Sequence, residues 1–418
     1  MTNNPTTTIR LGILGTGSKD LRSGIIGLGN MGSLHARSVL EGKVPRMRLT
    51  AVCDINPERM VYDPEIKTFT DSRALIRSGE VDAVLIATPH YSHTDIGIDA
   101  LENGLHTLIE KPISVHKADC ERLIAAYAKT NGVVFAAMFN QRTDPFHQKI
   151  RALLQGGELG EIRRVSWTIT NWFRSEFYYA SGGWRATWAG EGGGVLLNQC
   201  PHNLDLFQWF FGMPRQVRAF CSFGRYHDIE VEDDVTAYMK FENGATAVFI
   251  TSTGEAPGTN RLEIAAERGR LVYENDELRF TRNEIAMSEF SRTTKQSFAT
   301  PPVWEVQIPL GKDHGEQHIG ILGNFTAAIL DGTRLIAPAT EGIHSVELAN
   351  AFLYSSLTNT TVNMPLDGKV YEQELRKLIA SSRAKKSAPT VSTARATRPK
   401  ASRSRKLGLF SQSEFSTN

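Results

Sequence analysis

The sequence predicts an α/β protein with an N-terminal doubly wound parallel sheet of the dinucleotide-binding kind. Three observations carry this expectation. Short apolar strands alternate with helices over residues 21–140, the pattern of parallel βαβ units. "GIIGLGNMG" sets a G-x-G-x-x-G between a strand and a helix. There the first glycine makes a tight turn, the second admits a pyrophosphate and the third allows close helix packing. Asp54 then closes the next strand, roughly 20 residues on, where an acid can bond ribose hydroxyls.

Bulk composition agrees. The 418 residues are 41% hydrophobic and 22% charged, with a net charge of +2, ordinary for a globular enzyme of two or three domains. No apolar run approaches the ~18 residues that span a bilayer, so no membrane role is expected. The opening "MTNNPTTT" lacks a signal sequence. Cys53, Cys120, Cys200 and Cys221 are scattered without CxxC spacing, as reduced thiols are, and no metal site is expected. These features point to the cytoplasm.

Two glycine turns compete at the start. "IRLGILGTGS" (9–18) and "LRSGIIGLGN" (21–30) match at five of ten positions. The first has Asp20 where the second has Gly32, and a carboxylate there would crowd the helix and repel phosphate. The second copy also runs into helix formers with Leu34, Val39 and Leu40, stopped at Gly42. The second copy is therefore the working loop, and residues 1–20 form a lead-in segment. "MRLTAVCDIN" (47–56) reads as the next strand. Ile55 and Asn56 offer no arginine to a 2′-phosphate, so NAD is expected rather than NADP.

The alternation continues. "VDAVLIATP" (81–89) is a strand, 93–104 a helix, "HTLIEKP" (106–112) a strand, 117–132 a helix and "VVFAAMF" (133–139) a strand. Lys111 stands at the carboxyl end of its strand, where such sheets open a ligand crevice. Partial burial there would lower its pKa and suit it to proton exchange with a hydroxyl.

"EGGGVLLNQCPHNLDLFQWFFG" (191–212) is the second constellation. Its three glycines would let backbone approach a ligand. Asn198, His202 and Asp205 at i, i+4 and i+7 share one face of the expected helix, which Pro201 either kinks or begins. Asp205 either orients His202 or caps a neighbouring loop. Before it, "TNWFRSEFYYASGGWRATWAG" (170–190) gathers seven aromatics around Arg174 and Arg185, a composition suited to carbohydrate. Trp172 and Arg185 are the candidate contacts. From Ala380 onward nine Lys or Arg face one acid, Glu414. This segment has little to bury, so it is expected to be a disordered basic tail (380–418) with weak non-specific attraction to polyanions.

"GLGNMGSLHA", "ATPHYSH", "LIEKPIS", "MFNQRTDP", "GGGVLLNQCPHNLD" and "NFTAAILDG" together resemble the glucose–fructose oxidoreductase / inositol dehydrogenase (Gfo/Idh/MocA) family, from about Leu21 to Leu366. The resemblance implies a Rossmann domain (21–140) and an α/β domain (141–379) with a large open-faced, mostly antiparallel sheet. Pro145–Gln155 would be the connecting helix, the open sheet would make a homodimer or homotetramer, and the peptide before Pro112 would be cis. Cofactor contacts would come from Gly27, Gly29, Asn30, Met31, Gly32, Asp54, Thr88, Pro89, His93, Glu110, Lys111 and Asn140. Lys111 and His202 would be catalytic, with Asn198 and Asp205 beside them at the substrate. The implied activity moves a hydride between nicotinamide and a secondary alcohol of a sugar, sugar derivative or cyclic polyol. One departure stands out: the family commonly has aspartate where this chain has Asn198, and an amide cannot take a proton. NAD-assisted glycoside processing and a catalytically weak NAD-sensing protein are the competing expectations.

Overall fold

The computed structural model describes residues 20–311 and 313–382. The first glycine copy and the basic tail past Ser382 lie outside the described residues. Six strands, β1 (Leu21–Ile26), β2 (Met47–Cys53), β3 (Lys67–Phe69), β4 (Ala83–Ile86), β5 (His106–Ile109) and β6 (Phe135–Ala137), pair in the order β3-β2-β1-β4-β5-β6. Every pairing is parallel, and the central strands are buried on both faces, as parallel sheets covered by helices require. The order reverses between β1 and β4, which opens a crevice at their carboxyl ends. Gly27, Asp54, Thr88, Lys111 and Asn140 each follow a strand at that edge.

The chain leaves through the helix Pro145–Gln155, capped by Asp144, whose side chain accepts from the Phe146 N–H. A second sheet follows. Its strands are β7 (Ile162–Ile169), β8 (Gln216–Phe223), β9 (Glu232–Lys240), β10 (Thr246–Ser252), β11 (Asn260–Ala266), β12 (Gly269–Glu274), β13 (Glu277–Asn283), β14 (Val303–Ile308) and β15 (Val362–Asn363). They pair as β14-β13-β12-β11-β7-β10-β9-β8-β15. Only β7 and β10 run parallel. One face alternates buried Val165, Trp167, Ala247, Phe249, Leu262 and Ile264 against the helices Pro201–Phe211 and Gly342–Thr358. The other face carries Phe220, Tyr238 and the paired charges Arg164, Glu263, Arg261 and Glu274.

The two cores are not successive along the chain. The helix Gln317–Asp331 and the segment after it return to the first sheet. There Ile321, Leu322, Phe325, Ala337 and Val346 join the core built on β1–β6. The Ala137 N–H donates to the Ala337 carbonyl at 3.0 Å, and Arg46 pairs with Asp331. Sequence order alone places 317–346 with the second domain; the apolar face of this helix places it on the first. Among the described residues, no helix is long and apolar enough to cross a membrane.

Candidate active site

The helix Asn30–Leu40 begins directly after the glycine turn, with Gly29 at its cap, no capping side chain and no acid in its first turn. The opening amides of Asn30, Met31 and Gly32 therefore remain available, as at any helix N-terminus. The glycines divide the labour. A Cβ at Gly32 would stand 1.8 Å from the Gly27 carbonyl oxygen, whereas a Cβ at Gly29 would meet nothing within 4 Å. Gly32 is small for the fold; Gly29 is small for what sits beside it. The Asp54 carboxylate accepts from the Leu28 N–H at 2.7 Å and the Asn56 N–H at 2.8 Å, which fixes it beside the turn.

The expectation that no arginine stands near Asp54 needs correction. The short turn Pro57–Arg59 brings the Arg59 guanidinium to 3.6 Å from the carboxylate. The Asp54 carboxylate stays anchored at the turn, where an anion disfavours a phosphate beside it. Further along, Thr88 Oγ1 and Asn140 Oδ1 are enclosed without a hydrogen-bond partner. At the strand ends such atoms are free to meet a ligand or an ordered water. Together the open cradle, the fixed acid and the orphaned oxygens fit a nicotinamide dinucleotide.

Other expected cofactor contacts are placed differently. His93 is buried, its two ring nitrogens facing the Pro112 and Thr88 carbonyls at 2.8 Å each. It staples two loops rather than meeting a ligand. Pro89 is the exposed cap of the helix His90–Glu102. Glu110 turns one oxygen to His35 Nε2 at 2.7 Å and accepts the Lys111 N–H at 3.1 Å with the other. Burial pushes this carboxyl up, but the His35 ring and the nearby Lys111 charge outweigh it and hold Glu110 at about 2. Glu110 thus frames Lys111 as an anion.

The Lys111–Pro112 peptide is cis. Lys111 Nζ donates to the main-chain carbonyl of Asn198 at 2.8 Å. Burial lowers the Lys111 pKa, opposed by Glu110 and Glu191 and assisted by Arg174 and Arg185. His202 sits within the field of the same lysine. Burial first, then Lys111 and His318, push its pKa well below 6.5, so the ring is neutral. Its Nδ1 is enclosed without a partner. His318 comes from the returning helix and lies 5.6 Å from the His35 ring, while Gln317 accepts from Asn140 Nδ2 at 2.7 Å.

The helix that carries His202 starts at Pro201, so Asn198 lies in the preceding turn and does not share a helical face with His202 and Asp205. Asp205 meets Arg142, not His202 and not the crevice. The glycines 192–194 also serve the protein. Cβ atoms there would strike Val115, Leu197 and the Glu232 carbonyl at 2.1, 2.9 and 2.0 Å. Trp172 is 7% exposed and its indole N–H donates to Asn203; it is a core residue. Arg185 does reach the cluster. It donates to the Tyr178 hydroxyl at 2.7 Å and stacks on Tyr178 and Trp184. Tyr178 also accepts from Asn198 and Gln199, each at 3.2 Å.

Two groups that sequence reasoning missed complete the picture, Tyr178 as the hub of these donors and buried Glu191. The only sequence signal for Glu191 is its isolation, a single acid in the otherwise uncharged run 189–201. Among the described residues no three His, Cys, Asp or Glu are grouped to hold a metal ion.

Two family models cover this architecture. Residues 21–138 match the oxidoreductase family with an NAD-binding Rossmann fold, and residues 147–272 match the GFO/IDH/MocA C-terminal domain. The chain belongs to the Gfo/Idh/MocA oxidoreductases. Its first domain is the family's NAD-binding domain. An uncharacterized oxidoreductase, YrbE, of Bacillus subtilis is 27% identical over 67% of this chain and 81% of its own. Inositol 2-dehydrogenase of Rhizobium meliloti is 25% identical over 80% of this chain and 96% of its own. The fold also matches the WlbA dehydrogenase of Bordetella pertussis, solved with NADH and UDP-GlcNAcA. The TM-score is 0.69 at 23% identity, covering 83% of this chain and all of that one.

Proposed function

We propose that this Gfo/Idh/MocA oxidoreductase oxidises a secondary alcohol of a cyclic polyol, sugar or sugar derivative at the crevice between β5 and the helix Pro201–Phe211. The observation that carries this reading is Lys111. It is an ammonium with a lowered pKa, placed between the cofactor domain and the turn of Asn198 and electrostatically coupled to a neutral His202. Bound NAD supplies the hydride acceptor. Lys111 Nζ holds the reacting hydroxyl oxygen, His202 takes its proton, and the buried walls exclude water from both. The Asn198 amide and Arg185 bond neighbouring hydroxyls.

The substrate class is supported by the inositol 2-dehydrogenase relative and by the WlbA complex with a sugar nucleotide. The proposal includes a cytoplasmic enzyme, in keeping with four free cysteines. It also includes a dimer or tetramer through the open face of the nine-stranded sheet, where Phe220 is 62% exposed. Light scattering tests the assembly. The activity test is NADH absorbance with the purified protein and NAD against inositols, free sugars, glycosides and sugar nucleotides. Turnover on at least one class supports the reading; NAD binding without turnover on any overturns it.

A further inference from the structure

The crevice contains a buried carboxyl that the reaction above leaves unused. Glu191 is 1% exposed. One of its oxygens accepts the Ala186 N–H at 2.7 Å, and the other accepts the side-chain amide of Asn198. Asn198 therefore links two charges through its two ends, its main-chain carbonyl to Lys111 and its side-chain NH2 to Glu191.

A carboxylate accepts but cannot donate, so it admits only the NH2 end of the amide. The Tyr178 hydroxyl lies on that same nitrogen at 3.2 Å. Asn198 Oδ1 meets no protein donor among the described residues, yet it is not one of the enclosed orphan atoms. It faces the open side as an acceptor. The surrounding charges are unequal. Arg174 and Arg185 disfavour the Lys111 ammonium, while Glu110 and Glu191 favour it. Around Glu191 itself stand Lys111, Arg185, His90, Tyr179 and Glu232, with His90 Nδ1 at 3.2 Å from the Glu191 carbonyl.

We propose that Glu191 is a positioning residue for the alcohol substrate. Its carboxylate locks the Asn198 amide with Oδ1 presented to a substrate hydroxyl, and its charge sustains the Lys111 ammonium against the two arginines. Burial raises the Glu191 pKa to about 7, so the lock tightens as the pH passes neutrality. A protonated Glu191 donates a hydrogen and no longer dictates which end of the amide faces it. The inference rests on the dehydrogenase reading of this crevice.

An exchange of groups tests it. Glu191→Gln sets two amides face to face, and Asn198→Asp sets two carboxyls face to face. The double variant restores one acid and one amide with their places swapped. With the best alcohol of the panel, each single variant should lose at least ~10-fold in kcat/KM, and the double variant should recover most of that loss. A second readout needs no substrate. Trace acetylation of Lys111 by acetic anhydride across pH, read by mass spectrometry, reports when the lysine loses its proton. In Glu191→Gln that pH should fall, and in the double variant it should return toward the wild-type value. An unchanged Lys111 titration in Glu191→Gln overturns the proposal, as does a double variant no better than the worse single one. If Glu191→Gln does not fold, the double variant and Asn198→Ala, which keep an acid in the pair or leave Glu191 in place, carry the same comparison. If no alcohol is oxidised, the polyol reading fails, while the Lys111 titration still decides the role of Glu191.

Discussion

Arg142 holds Asp205 through two parallel hydrogen bonds of 2.7 Å, with both side chains 1% exposed. The arginine lies in the turn Asn140–Thr143 at the exit of the first sheet, and the aspartate in the helix that carries His202. The fork also reaches the Ile336 carbonyl and Glu341. One guanidinium thus ties the cofactor domain, the catalytic helix and the returning segment together.

Removing one partner of such a pair leaves a buried charge uncompensated, at a cost of about 3–5 kcal/mol. Arg142→Met and Asp205→Leu should each destabilise the protein by about that much in urea titrations. The double variant should cost less than the sum of the two. Additive losses would show that the pair does not couple.

The two glycines of the turn should separate in experiment. Gly29→Val should abolish NADH binding, followed by fluorescence, with little change in melting temperature, because the new side chain occupies only ligand space. Gly32→Ala should lower the melting temperature instead, because its Cβ cannot coexist with the Gly27 carbonyl. A Gly29→Val protein that binds NADH normally would place the pyrophosphate elsewhere.

Lys111→Met and His202→Ala should each slow turnover by ~100-fold or more, the usual scale for lost acid–base help. NAD affinity should change less, since its anchors are the turn and Asp54. Alcohol oxidation should decline as pH rises and Lys111 gives up its proton, because the ammonium that holds the hydroxyl oxygen is lost. Because burial lowers that pKa, the decline should begin below the ordinary lysine range. Near-normal turnover in His202→Ala would make the ring a structural one.

Glu232 should give the protein a measurable pH slope. Its carboxyl accepts from the Gly194 N–H at 2.9 Å and the Leu196 N–H at 3.0 Å, and burial raises its pKa from 4.5 to about 7. The folded state then binds the proton more tightly than the unfolded chain. The contribution is full below pH 4.5 and is lost as pH rises through 7. Glu232→Gln should flatten the fall in melting temperature between pH 5 and 8; an unaltered slope would assign it to other groups.

The parallel sheet was legible because its strands are buried on both faces and so read as unbroken apolar runs between helices. Lys111 and the glycine turn were legible because they are set by local order at strand ends. Glu191, Tyr178 and the Arg142–Asp205 pair were not. Their partners lie up to 199 positions away, and nothing local distinguishes a carboxylate that meets a buried arginine from one that meets a catalytic ring. The glycines 192–194 misled for a related reason. A sequence shows that backbone must come close to something, but not whether that something is a ligand or Val115.

The return of residues 317–346 to the first sheet makes this protein a poor kit of parts. A chimera cut near residue 140 would graft a new substrate half while discarding Ile321, Leu322 and Phe325, which roof the cofactor half. It would also strip Gln317 and His318 from the crevice wall. The exchangeable unit is discontinuous. Swapping specificity between relatives calls for three junctions, one before the helix Pro145–Gln155 and one on either side of residues 317–346, so that the nicotinamide domain keeps its own lid of helix.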